Sequence, residues 1–255
     1  MEENKDTNES GEKQMSFLEH LEELRWRIIK AAIGVVICAV IAGIFINYIM
    51  ENILLAPLYK TDPVLEIQNL KPFGQFTLYM EVIITTGVVL SIPNIFYQMW
   101  KFIEPALKPK ERKYITGIVI FSSLCFITGV IFAYFVMLPT ALGFAAQFGT
   151  DIIRNRMAAD EYYNFIISVL LIAGVVFELP MISFFLSRIG ILKPHFMRKY
   201  RKHAIVLILF LAALLTPTPD ITNQLLLGIP LLILYEISIL ICKLSQKKEE
   251  KELMQ

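Results

Sequence analysis

Glu81, Glu178 and Glu236 stand inside long apolar runs, and Glu23 and Glu111 stand in strongly basic segments that border such runs. A charged carboxyl in the middle of a hydrocarbon layer costs about 2.5 to 3.5 kcal/mol on insertion scales, so it must face protein or water, or carry a proton. Counted along its run, Glu178 is the deepest of the three. Two chemistries suit it: a functional polar groove, or a hydrogen bond to the backbone carbonyl that Pro180 leaves without a donor near Val176. A proton-coupled secondary transporter would use the same carboxyl as its titrating group. Glu81 and Glu236 fit interfacial or helix-pairing roles. Other chemistry is poorly supported, because the three histidines, His20, His195 and His203, form no HExxH, and the chain has neither GxSxG nor a Cys/His constellation. Cys38, Cys125 and Cys242 fall in apolar runs without metal-ligand or redox spacing and read as small buried hydrophobes. No enzyme activity, metal or cofactor is expected.

The elements that must position these acids are set by hydropathy. The 255 residues are 56% hydrophobic and 18% charged, with a mean hydropathy of +0.58, too apolar for a soluble chain of this size. Apolar runs occupy 31–50, 76–97, 114–139, 162–187, 204–215 and 222–242, and roughly 20 helical residues cross about 30 Å of hydrocarbon. An all-α membrane protein of six spans is expected. If the N-terminus is cytoplasmic, inner segments hold 20 of the 24 Lys and Arg, so the positive-inside rule places both termini in the cytoplasm.

The organisation is one domain, 16–245, between a disordered acidic tail at 1–15 and a charged cytoplasmic tail at 246–255. The start lacks the basic and short apolar stretches of a cleavable signal, so the first span remains as an anchor. No inverted repeat is visible, which argues against a transporter built from matching halves. The outer loop 51–75, with Pro57, Pro63 and Pro72, reads as interfacial helical turns in which Pro57 is structural, and Pro139 reads as a helix stop opening the second outer loop. Spans five and six are short, because 204–215 supplies only about 18 Å of helix before the turn "TPTPD". Pro93, Pro180 and Pro230 predict kinked helices.

The stretch "FLEHLEELRWRI", Phe17 to Ile28, is amphipathic at 100° per residue. Phe17, Leu18, Leu21, Leu24 and Ile28 form one face, and Glu19, His20 and Arg27 gather around Glu23, which points to cytoplasmic water. Arg25 falls on the apolar side and is structural there, snorkelling or pairing locally. Spacing alone favours an i,i+4 pair between Glu23 and Arg27. In "YQMWKFIEPALKPKERKY", Tyr97, Trp100 and Phe102 suit an interfacial aromatic belt, and Pro109 starts a helix with Glu111 in its first turn.

The pieces "HLEELRWR", "IPNIFYQMWKFIEPALKPKER", "FAYFVMLP", "FELP", "LLTPTPD" and "IPLLILYEISI", in this order over residues 15 to 245, resemble the TatC family, the large subunit of the twin-arginine protein translocase. The resemblance implies a concave, glove-like six-helix bundle. It implies a receptor for paired-arginine signal peptides of folded cargo, in the bacterial inner membrane, driven by the proton motive force. Glu23 of "ELR" and Glu111 of "KER" match the acids that recognise the paired arginines, with Phe102 the nearby aromatic. Carboxylates suit that task because they accept bidentate bonds from planar guanidinium groups. Glu178 matches an acid lining the concave face, and Asp220 with Gln224 the polar residues after the outer turn. Implied partners are small single-span TatA/TatB-type subunits, membrane lipid and further copies of the chain, with no nucleic acid. The resemblance supplies no role for Glu81.

Overall fold

The computed structural model describes residues 17–106, 112, 115–147, 156–188, 190–215 and 221–253. Helix α1 (Phe17–Ile44) runs without a break from the amphipathic opening into the first apolar run, since no proline or glycine pair interrupts it. A single turn, α2 (Ile46–Tyr48), passes into a π-helical turn, Ile49–Leu54. The second run is two helices, α3 (Gly74–Leu90) and α4 (Ile92–Ile103), bent by 53°. Pro93 sits in the first turn of α4, where its missing N–H costs nothing.

The third run is α5 (Ile115–Phe132), a π-helical turn at Ala133–Met137 and α6 (Leu138–Gln147). Pro139 therefore does not stop the helix, which continues through Gln147. The preceding π turn shifts the hydrogen-bond register, and the Thr140 hydroxyl donates to the carbonyls of Val136 and Met137 at 2.8 and 2.9 Å. The fourth run breaks at Phe177–Glu178 between α7 (Ala159–Val176) and α8 (Leu179–Arg188). Gly190, at φ 77°, follows α8 in the left-handed conformation that closes a helix end. The short α9 (Pro194–Lys199) leads to α10 (Arg201–Leu215) and α11 (Ile221–Leu253). Helix α11 extends through Leu253, so the segment expected to be a separate tail from 246 continues the helix.

Four helical stretches among the described residues are long and apolar enough to cross a membrane, and the bent α3–α4 pair makes a fifth. Helix α10, at 15 residues, is too short to be counted among them, and the prolines of "TPTPD" follow its last residue in the sequence. The all-helical expectation needs one amendment. Glu66–Gln68 (β1) and Arg156–Ala158 (β2) pair in parallel, with Ile67 opposite Met157. The two loops meet at one end of the bundle and satisfy their backbone groups against each other.

Packing is close where side chains are smallest. A Cβ on Gly87 would lie 2.8 Å from the backbone of Ala39, and one on Gly129 would lie 2.6 Å from the carbonyl of Ala173. Helices α1 and α3, and α5 and α7, approach along these glycines, the device by which helices in lipid gain contact area. The main core gathers Leu54, Val82, Leu138, Leu142, Tyr162 and Ile166. Helix α1, by contrast, leaves Ile33, Val36, Ile37, Val40 and Ile44 exposed. An outer face this apolar matches a hydrocarbon solvent.

Candidate functional site

The polar side chains of α1 and α4 meet in one seam. Arg27 donates from Nε (3.3 Å) and Nη2 (2.9 Å) to a single oxygen of Glu23, Oε1. Its third donor, Nη1, reaches Oε1 of Gln98 at 3.4 Å. Gln98 in turn donates to Asn94 at 3.5 Å, and Asn94 donates to the carbonyls of Lys30 and Ala31 at 3.4 Å each. A chain of hydrogen bonds thus leaves α1 at Glu23, crosses to α4 and returns to the α1 backbone. Gly34 admits this contact, since a Cβ there would collide with the Asn94 amide at 2.1 Å.

Glu23 does not point into open water as its helical angle suggests. Its side chain is 19% exposed, and Oε2 is buried without a hydrogen-bond partner. The helical wheel reports a direction, but α4 packs over that side of α1. Beside it, Phe102 stacks on His20 with ring centroids 4.3 Å apart and 17° between planes. Asn94, Gln98 and Phe102 lie four residues apart and so share one face of α4. The four-residue spacing of this stripe is present in the sequence, but the two neutral amides carry no charge or aromatic ring that marks them there.

Trp100 is not part of an interfacial belt. It is buried, packing edge-on against Phe185 at 4.9 Å within a cluster that includes Met181 and Ile115, while Tyr97 is exposed. Arg25 is exposed on α1. Glu111 lies outside the described residues. Its neighbour Arg112 donates to the carbonyl of Pro105 at 3.3 Å.

The remaining acids separate. Glu178 sits at the α7–α8 break, where its N–H bonds Val175 at 3.1 Å and its carbonyl accepts from Ile182 at 2.9 Å. Its side chain is 7% exposed and faces α5 near Ser122 and Phe126, with Oε1 lacking a partner. Glu236 accepts from Nε of Arg201 at 2.6 Å and from its Nη2, tying α11 to the start of α10. Gln224 ties the same two helices by donating to the Leu209 carbonyl at 3.0 Å. Asp220 lies outside the described residues. No group of three or more His, Cys, Asp or Glu side chains among the described residues could hold a metal ion.

At the opposite end, Pro57 is buried and opens the 3-10 turn Leu58–Lys60. Tyr134 and Tyr162 donate to the carbonyls of Ile53 and Leu54 at 2.8 and 2.7 Å, closing the exposed end of the π turn. Glu66 pairs with Arg156 at 3.0 Å and Lys71 with Asp160 at 2.5 Å. The hydrogen bond it donates to Asp160 holds the Lys71 ammonium above the usual lysine range. Glu81 stands near this group.

Long apolar helices with glycine-mediated crossings and polar groups confined to seams define an integral membrane protein of the polytopic helical class. The family model described as Sec-independent protein translocase protein (TatC) matches residues 19–230. A Sec-independent protein translocase protein TatC of Carboxydothermus hydrogenoformans is 39% identical over 238 residues, 93% of this chain and 97% of the relative. One of Aquifex aeolicus is 35% identical over 239 residues, 93% of this chain and 98% of the relative. A crystal structure of the twin arginine translocase receptor TatC superposes with a TM-score of 0.74 at 36% identity, covering 89% of this chain and 100% of that one. The chain belongs to the TatC family of Sec-independent protein translocase components.

Proposed function

We propose that this chain is the receptor subunit of the translocase, which binds paired-arginine signal peptides of folded precursors at the cytoplasmic face and organises their export under the proton motive force. The observation that carries the reading is Glu23, a carboxylate on the α1–α4 seam with one buried oxygen lacking a partner, beside the stacked Phe102 and His20. A carboxylate so placed can gain charge-assisted hydrogen bonds from a planar guanidinium, and an aromatic face beside it suits the same cation. Glu111, in the same basic segment as Phe102, would supply the acid for the second arginine. The six apolar runs form six spans, with both termini cytoplasmic in a bacterial inner membrane, because Lys and Arg concentrate on the segments that this orientation places inside. Small single-span TatA/TatB-type subunits and further copies of the chain complete the complex. Glu178, Asp220 and Gln224 are assigned to contact with cargo or partner helices.

The test is binding of two signal peptides, identical except for Arg-Arg or Lys-Lys, to the full chain in lipid nanodiscs. Arg-Arg should bind tighter, and Glu23→Gln should remove roughly 1.5 to 3 kcal/mol of that affinity, about ten- to a hundredfold, without loss of folded protein. Equal binding of both peptides, or an unchanged affinity in the variant, sinks the receptor assignment.

The buried Oε1 of Glu178 keeps a second reading in play, a proton-coupled secondary transporter. Such a protein needs a carboxyl that cycles between charged and neutral forms, which an amide cannot replace.

A further inference from the structure

The guanidinium that Glu23 holds in this structure is the protein's own. Arg27 directs two donors at Oε1 and leaves Oε2 unpartnered, while its third donor already touches Gln98 on α4. The arrangement is an ion pair poised between two acceptors. One is the carboxylate a ligand would need, and the other is a neutral amide. We propose that Arg27 is an internal competitor for the signal-peptide site, displaced from Glu23 toward Gln98 when a peptide guanidinium arrives, so that it sets the receptor's affinity.

This inference rests on the receptor reading of Glu23. The physical case begins with geometry. Both Arg27 donors converge on one oxygen, whereas a guanidinium approaching from outside can bridge both oxygens in parallel, the stronger arrangement. The i,i+4 spacing holds Arg27 at high effective concentration, yet both of its donors meet one oxygen and the bridge is not formed. Displacement is feasible because Gln98 accepts the departing donor. It does not leave a half-buried guanidinium unpaired, and Asn94 holds the Gln98 amide in place. The same competition lowers the affinity of every cation for Glu23, so weak monobasic ligands fail to occupy the site while a paired-arginine segment does.

Competition in the free state predicts a pattern that a structural role would not. Peptide binding is measured by fluorescence anisotropy on the full chain in nanodiscs at two salt concentrations. Arg27→Lys keeps the charge but replaces the fork with a point charge that is more readily displaced. It should raise affinity for both Arg-Arg and Lys-Lys peptides by the same factor, roughly three- to tenfold. Relief of simple charge repulsion would leave this variant unchanged. Gln98→Leu should do the opposite, lowering Arg-Arg affinity several-fold, because the displaced Arg27 loses its second acceptor. In an Arg27→Gln background, Gln98→Leu should have no effect. If Arg27→Lys fails to raise affinity, or if Gln98→Leu is equally costly with and without Arg27, the competitor role is overturned. The Glu23→Gln control separates the two claims. Weaker binding there together with an unresponsive Arg27 removes only this inference, whereas no effect at Glu23 removes the receptor reading itself.

Discussion

The two ends of the bundle treat their polar atoms in opposite ways. At the end carrying β1 and β2, tyrosine hydroxyls close the carbonyls of the π turn, Thr61 bonds both Leu58 and Leu65, Thr85 meets Tyr163 at 2.7 Å, and two ion pairs tie the loops together. Among the described residues, four buried side-chain atoms lack a partner, and two of them, Glu23 Oε2 and Ser91 Oγ, lie on or next to the α1–α4 seam. Buried polar atoms in folded proteins are nearly always bonded, so unpartnered ones gathered in one region point to strain or to a ligand site. The first end has the character of a scaffold. The seam gives up stability that recognition would use.

That contrast can be broken by mutation. The largest stability effect belongs to the cap, where Tyr162→Ala removes a fully buried ring and the bond to Leu54, and should cost about 3 to 5 kcal/mol. The unfolding midpoint in detergent reads this, and peptide affinity per folded molecule should stay unchanged. Glu23→Gln should show the mirror image, with affinity lost and the midpoint nearly retained. A large midpoint drop there would make the seam a scaffold too.

Glu178 sharpens the comparison at intermediate size. Glu178→Leu should cost about 1 to 3 kcal/mol by leaving polar neighbours such as Ser122 unpaired, whereas Glu178→Gln keeps the hydrogen-bonding shape and most export of folded cargo. Export in cells at matched membrane abundance is the measurement. Complete loss with Gln, equal to that with Leu, would favour a protonation cycle and the transporter reading.

The smallest effect is expected at the exposed Arg156. Arg156→Ala removes its pair with Glu66, and because both side chains are more than half exposed it should change stability by less than about 1 kcal/mol, less still at high salt. A larger cost would mean that the β1–β2 pairing depends on that ion pair rather than on its backbone bonds.

Much of the candidate site could be read from residue order. The Glu23 to Arg27 spacing places the two side chains together on any helix, and the structure has that pair. Glu236 in an apolar run pointed to an interfacial or helix-pairing role, and it ties α11 to α10, a link that Gln224, expected at a groove or partner contact, also makes. The surroundings of Glu23 could not be read, since its helical angle says nothing about which helix covers it. Gln98 lies 71 residues away, and its meeting with Arg27 depends on the 53° bend that turns α4 against α1. Trp100 misled for a related reason: an aromatic near the end of a span suits the membrane interface or the core equally well until a partner such as Phe185 is in place.

Hydropathy along the chain determined that this is a helical membrane protein, and the positions of its apolar runs located its main helical stretches, because backbone groups in hydrocarbon must be satisfied within each segment. Which of those helices bend, which acid loses its water and which guanidinium claims it were decided only by packing. Pro139 shows the limit from the other side, since its residue type says stop and the π turn before it lets the helix continue. Local rules act within one turn of chain. Burial and long-range hydrogen bonds depend on neighbours that arrive from elsewhere in the sequence.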